Sequence, residues 1–203
     1  PVPQAVQDQQ RWGWMAQMYS VRSAGSWGVG DYGDLRMLAS DAAAKSGADF
    51  MLINPIHASA PITPLEPSPY LPESRRFLNV TYIRPQDIPE FEKLDDADRA
   101  TVRDLRDRVA ANNTNPEPID INAAWDAKRA ALEIIFHQKR SAERETAFAE
   151  FRHAAGDDLR AFALWCVAFE VWGAPWEEGV DWFSTTNRDS PEIAQLEQDH
   201  ADL

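Results

Sequence analysis

Cysteine is nearly absent from this chain. The one that occurs, Cys166, lies in an apolar run, which excludes an internal disulfide and suits a small buried thiol in a reducing compartment. A basic excess is also missing: 20 Lys and Arg stand against 33 Asp and Glu, for a formal net charge of −13. Nucleic acid and anionic membrane surfaces both call for a basic face, so neither is an expected partner, whereas an uncharged substrate is compatible. The longest hydrophobic run, Ala161 to Phe169, falls far short of the roughly 20 residues of a membrane span. The start, PVPQAVQDQQ, has no basic stretch and no apolar stretch, so it does not read as a secretory leader and the expected location is cytoplasmic. CxxC, HExxH, G-x-S-x-G and Walker A sequences are lacking, and no Asp/His cluster stands in for them; no metal and no cofactor is expected.

What is present is unevenly placed. Hydrophobic residues make up 44%, enough for a packed core. Six of nine glycines fall between Gly13 and Gly47, and eight of fourteen prolines between Pro55 and Pro89. A turn-rich start therefore leads into a stiff loop and then a helical stretch. Trp14 to Val21 reads as a buried strand and RSAGSWGVG as the loop after it. Asp31 is placed to cap a helix carrying Leu35, Leu38, Ala39 and Ala42, and Gly47 is placed to end it. Phe50 to Ile53 reads as a second strand. Residues 1–53 thus form a βαβ unit with two parallel strands.

The loop region 54–90 leaves the carboxyl end of the second strand, where α/β folds place their sites. It is far longer than ordinary connections, and its prolines with Tyr, Phe, Leu and Ile argue against disorder. Residues 91–183 read as helices, with apolar faces at 97–110, 123–139, 142–155 and 157–172, and residues 184–203 as a polar acidic tail that frays. Two strands alone do not make a stable sheet. The fold class is therefore α/β, the opening portion of a larger fold, and the chain is expected to belong to a longer polypeptide.

Gly28-Val-Gly30-Asp-Tyr-Gly33 matches the dinucleotide pattern G-x-G-x-x-G between a strand and a helix. Asp31 and Asp34 would face a pyrophosphate with negative charge, and no acidic residue ends the second strand, so a glycine-rich helix entry is the favoured reading. His57 leaves that second strand, where a histidine serves as proton carrier, donor or plain structural group. Aromatic faces stack on sugar rings, which makes Trp27 and Tyr70, in the two loops, candidate sugar platforms. Trp165 and Trp172 read as core; Trp176 and Trp182 read as core before outer contacts.

Taken in order, several runs resemble the bacterial 4-alpha-glucanotransferases, the amylomaltases of glycoside hydrolase family 77. They are Met18 to Ser23, Ser26 to Leu35, Gly47 to Phe50, Asn54 to Ala58, Ser68-Pro69-Tyr70, Ser74 to Asn79 with Tyr82-Ile83, and the helical runs Trp125 to Leu132 and Phe162 to Leu164. The resemblance implies the opening of a (β/α)8 TIM barrel with a long substrate loop and a mostly helical insertion. It implies transfer of α-1,4-glucan segments between maltooligosaccharides with retention, which takes two carboxyl groups about 5 to 5.5 Å apart. The family's catalytic carboxylates lie on later strands, so no catalytic residue is assigned here and the chain alone is expected to be inactive. The substrate-binding set implied is Ser68, Tyr70, His57, Trp27 and Asn79, with Asn79, Arg75 and Arg76 more as anchors of the loop. A non-catalytic α-glucan-binding module is the competing reading, and the oligomeric state is open.

Overall fold

The structure, a computed structural model, describes residues 10–200. The N-terminal stretch read against a leader and the last three residues of the expected tail lie outside that range, apart from Gln10. The chain divides into two compact units. One holds residues up to Ser59 and then Glu66–Gln138; the other holds Ala60–Leu65 and Lys139 onward. The long loop is therefore shared between them in sequence.

In the first unit, β1 (Gly13–Ala16) pairs in parallel with β2 (Phe50–Ile53), Gly13 opposite Phe50 and Ala16 opposite Ile53. The strand is shorter than the sequence suggests. Met18–Ser20 forms a 3-10 turn because the chain must bend down to bury Met18, whose N–H donates to Asn54 Oδ1 at 2.6 Å. Between the strands runs α1 (Tyr32–Ser46). Asp31 caps it by accepting from the N–H groups of Gly33 and Asp34, and Asp34 completes a capping box on the Asp31 N–H. Gly47 ends the helix at φ 65°, a left-handed position that favours glycine.

After β2, β3 (His57–Ala58) pairs antiparallel with β4 (Ser74–Leu78). Short 3-10 turns carry residues 80–93 to α2 (Asp96–Ala110), which packs on α3 (Ile121–Phe136). Val102 and Val109 meet Ala127, Ala131, Ile135, Leu94 and Trp27 in one apolar core. One face of the pair stays open: Met15, Phe50 and Leu52 on the two parallel strands are each more than half exposed.

The second unit is built on α4 (Ala142–Trp172), which is broken at Gly156, where φ is 58°. The two helices expected at 142–155 and 157–172 meet at that residue. After Gly173, a short helix α5 (Trp182–Thr185) precedes α6 (Pro191–Asp199). The tail expected to fray thus folds over its described part, because Ile193 and Leu196, three residues apart, share one helix face and bury against Leu164, Val167 and Ala168. Trp172 and Trp182 pack beside that core with ring centroids 5.9 Å apart. Trp176, in contrast, is 68% exposed, an outer contact rather than core. Cys166 is half-buried. Among the described residues no helix is long and apolar enough to cross a membrane.

Candidate functional site

The 66–79 segment of the first unit has a stiff tip and an anchored root. At the tip, Ser68 N–H donates to Glu66 Oε1 at 2.9 Å, and Ser68 Oγ accepts from Tyr70 N–H at 3.4 Å. These short-range bonds, with Pro67, Pro69 and Pro72, fix the backbone without help from a sheet. They leave the Tyr70 ring 59% exposed, with its hydroxyl 3.5 Å from Gln17 Nε2. Leu71 beside it is 61% exposed. A tyrosine so placed can offer a face for stacking and a hydroxyl for hydrogen bonding.

The root is closed. Asn79 Oδ1 accepts from the Thr81 N–H at 3.0 Å and the Thr81 hydroxyl at 2.8 Å, its N–H donates to Ile56 O, and its carbonyl accepts from the Tyr32 hydroxyl. The Asn79 Oδ1 is thus spent on the turn that follows it. His57 is half-buried in β3, opposite Leu78. Trp27 is a correction. Its side chain is 1% exposed within the α2–α3 core, and its indole N–H donates to Gln86 Oε1 at 2.7 Å, so no face is open to a sugar. The loop 22–30 folds inward here because Gly28 and Gly30 let its backbone pack closely, Gly30 against the carbonyls of Met18 and Val21.

Beneath the root lies a buried ionic group. Arg84 reaches Asp31 at 2.7 Å and Asp34 at 2.6 Å, and both carboxylates are fully buried. Ser23 and Ser26 hydroxyls also donate to Asp34, each at 2.6 Å. Burial pushes the Asp31 carboxyl up against the pull of Arg84. Burial works the same way on Asp34, but bonds from Ser23, Ser26 and Arg84 together hold it below the usual carboxylate range. Lys128 is fully buried on α3; its Nζ donates to the Thr81 carbonyl at 2.9 Å, and desolvation lowers its pKa to about 8.

This arrangement explains the glycine pattern. Asp31 already occupies the N–H groups at the start of α1, where a pyrophosphate would sit. A Cβ on Gly33 would stand 2.5 Å from the Arg84 guanidinium carbon, so this glycine makes room for an arginine rather than a nucleotide. Among the described residues no group of three or more metal-ligating side chains occurs.

Sequence reasoning missed Arg84 and Lys128. The signal for Lys128 was available: Ala124, Lys128, Ala131 and Ile135 recur at helical spacing, which puts the lysine on the buried stripe. Arg84 carried no such periodic signal, since it sits between two 3-10 turns.

Comparison with known proteins places the chain. The family model described as 4-alpha-glucanotransferase matches residues 16–203. The chain is 41% identical over 207 residues to the 4-alpha-glucanotransferases of Mycobacterium bovis and Mycobacterium tuberculosis, covering 99% of this chain and 28% of theirs. It is 35% identical over 164 residues to that of Haemophilus influenzae, covering 77% of this chain and 23% of the other. The crystal structure of amylomaltase from Corynebacterium glutamicum matches with a TM-score of 0.77 at 42% identity, over 92% of this chain and 25% of that one. The chain thus spans about a quarter of the length of these relatives. On the match over residues 16–203, the chain belongs to the 4-alpha-glucanotransferase family, glycoside hydrolase family 77.

Proposed function

We propose that this chain is the part of a 4-alpha-glucanotransferase that grips an α-1,4-glucan, and that the complete polypeptide moves glucan segments between maltooligosaccharides with retention. The observation that carries this reading is the family match together with an exposed Ser68-Pro69-Tyr70 tip on an anchored root. Tyr70 stacks on a sugar ring and uses its hydroxyl on a sugar oxygen; Ser68 Oγ lies beside it. The rigid tip reduces the ordering entropy paid on binding. His57 lies in the strand behind the loop as a hydrogen-bonding group for the same ligand. Asn79 serves as the loop's anchor, and Trp27 supports the first loop from the core.

Retention calls for a nucleophilic and an acid/base carboxyl about 5 to 5.5 Å apart. The acids around the loop and its root do not suit that work. Asp31 and Asp34 are buried against Arg84, and Glu66 accepts from its own loop. As the family resemblance implies, the reacting pair comes from later sequence, on strands that complete a (β/α)8 barrel around β1 and β2. The open apolar face of that parallel pair supports a further layer packed over it, since parallel sheets are covered on both faces. Maltooligosaccharides are the expected partners, and a cytoplasmic location accords with the single cysteine.

Incubating the complete polypeptide with maltotriose tests the reading: glucose and longer maltodextrins are expected. Their absence, with binding retained, would favour a non-catalytic glucan-binding module. In the active protein, Tyr70→Ala is expected to raise the acceptor KM about tenfold, the scale of one lost stacking contact of about 1.4 kcal/mol. An unchanged KM and turnover would remove Tyr70 from the site.

A further inference from the structure

We propose that Lys128 is a positioning residue for the sugar-binding loop: from the buried face of α3 its ammonium holds the Thr81 carbonyl at the loop's root and completes a formally neutral quartet with Asp31, Asp34 and Arg84. The loop tip with Ser68 and Tyr70 is thereby presented in one place. The functional half of this inference rests on the glucan-binding reading above; the structural half does not.

Lys128 is fully buried, on a helix face otherwise made of Ala124, Ala131 and Ile135. A buried ammonium is costly, and an apolar residue there would pack without that penalty. Its Nζ donates to the Thr81 carbonyl, in the turn that Asn79 opens. The rest of that turn is held by α1 and its flanks and by the stretch after β2, where Ile56 O accepts from the Asn79 N–H. Tyr32 donates to the Asn79 carbonyl, Arg84 grips Asp31 and Asp34, and Gln86 donates to the Gly25 carbonyl at 2.7 Å. None of these ties comes from α3. Lys128 alone in this set reaches the turn from α3, so it fixes the root from a second direction. The Lys128 charge is also attracted by those of Asp31 and Asp34, so that two carboxylates and two cations leave the group without net charge, which makes burial tolerable.

The remaining features of the molecule carry less. A cavity of about 170 Å³ in the second unit, lined by Trp165, Trp182, Phe183 and Asn187 among others, is mainly apolar, and nothing indicates its occupant.

Lys128→Met and, as a control on the same helix, Ile135→Ala are made in the complete polypeptide. Backbone amide exchange is read at residues 66–78 and in α2, each variant at the same interval below its own Tm. Lys128→Met is expected to speed exchange at 66–78 about tenfold while α2 changes as it does in Ile135→Ala. It is also expected to raise the acceptor KM about tenfold with kcat within about threefold, which Ile135→Ala does not do. Lys128→Gln, which keeps a donor for Thr81 without the charge, is expected to fall between; it is read in the same way if the methionine variant does not fold. Equal loop exchange in the Lys128 variants and the control would overturn the anchor, whether or not the wild type transfers glucan. Faster loop exchange with an unchanged KM would leave the anchor standing and remove its link to glucan binding. A wild type without transferase activity would count against the functional reading alone.

Discussion

The root and the tip of the 66–86 segment use their polar groups in opposite ways. At the root, Asn79, Thr81, Arg84 and Gln86 all spend side-chain or backbone groups on partners within the fold, and Arg84 is 13% exposed. At the tip, Tyr70 and Leu71 are mostly exposed, and the backbone N–H groups of Ser68 and Tyr70 bond near neighbours in sequence, with one long 3.5 Å contact from Gln17 Nε2 to the Tyr70 hydroxyl. The root is costly to disturb because its charges lie out of water. The tip is cheap to disturb because it contributes little to the core. A fixed base under a free tip is an arrangement suited to presenting a side chain to a ligand.

The sharpest way to break this contrast is at the base. Arg84→Ala leaves two buried carboxylates without their partner and is expected to cost about 3–5 kcal/mol in denaturant unfolding. A loss below about 1 kcal/mol, the scale of a surface pair, would mean that the base is not buried in solution. Next comes Gly33→Ala. Helix propensity favours alanine by up to about 1 kcal/mol, but the contact with Arg84 reverses the sign, and a net loss of about 1–3 kcal/mol is expected. A stabilised variant would show that Arg84 yields freely.

Lys128 sharpens the comparison through pH. Burial lowers its folded pKa to about 8 from 10.5. Below about 8 the proton is bound in both states and its burial is penalised in full. As pH climbs from about 8 toward 10.5, the folded protein releases the proton while the unfolded chain keeps it, so stability rises. The slope from this residue is at most about 1.4 kcal/mol per pH unit. Tyr32, pushed up to about 12 by burial, acts in the opposite direction above pH 10, where the unfolded chain ionises first. Unfolding of wild type and Lys128→Met at about pH 7.5 and about pH 9.5 separates the two, and equal pH dependence would contradict the lowered pKa. The smallest effect belongs to the tip. Tyr70→Ala is expected to change stability by less than about 0.5 kcal/mol, and a larger loss would make Tyr70 a packing residue.

Much of this molecule could be read from residue order. Asp31 and Gly47 marked both ends of α1 because capping and left-handed termination are local chemistry. The parallel pairing of Phe50–Ile53 with the first strand followed from the intervening helix. The stiffness of the loop was visible in its prolines. Burial in loops was not visible in the same way. Trp27 and Tyr70 have the same standing in the sequence, each an aromatic among small and turn-forming residues, yet one is 1% exposed and the other 59%. Only the position of α2 and α3 separates them. The acidic tail gave a similar result, since two apolar residues on one face sufficed to fold it once α4 supplied a surface.

The sequence by itself determined the local elements, the family and the rigid aromatic loop, because caps, turns, helical spacing and motif order act over short range. The tertiary structure decided which aromatic faces outward and which acids are locked. It also brought Lys128 and Arg84, 44 positions apart, under one turn of the chain. The physical reason is that burial and charge pairing depend on what the fold places opposite a residue, and neighbours in sequence do not specify that.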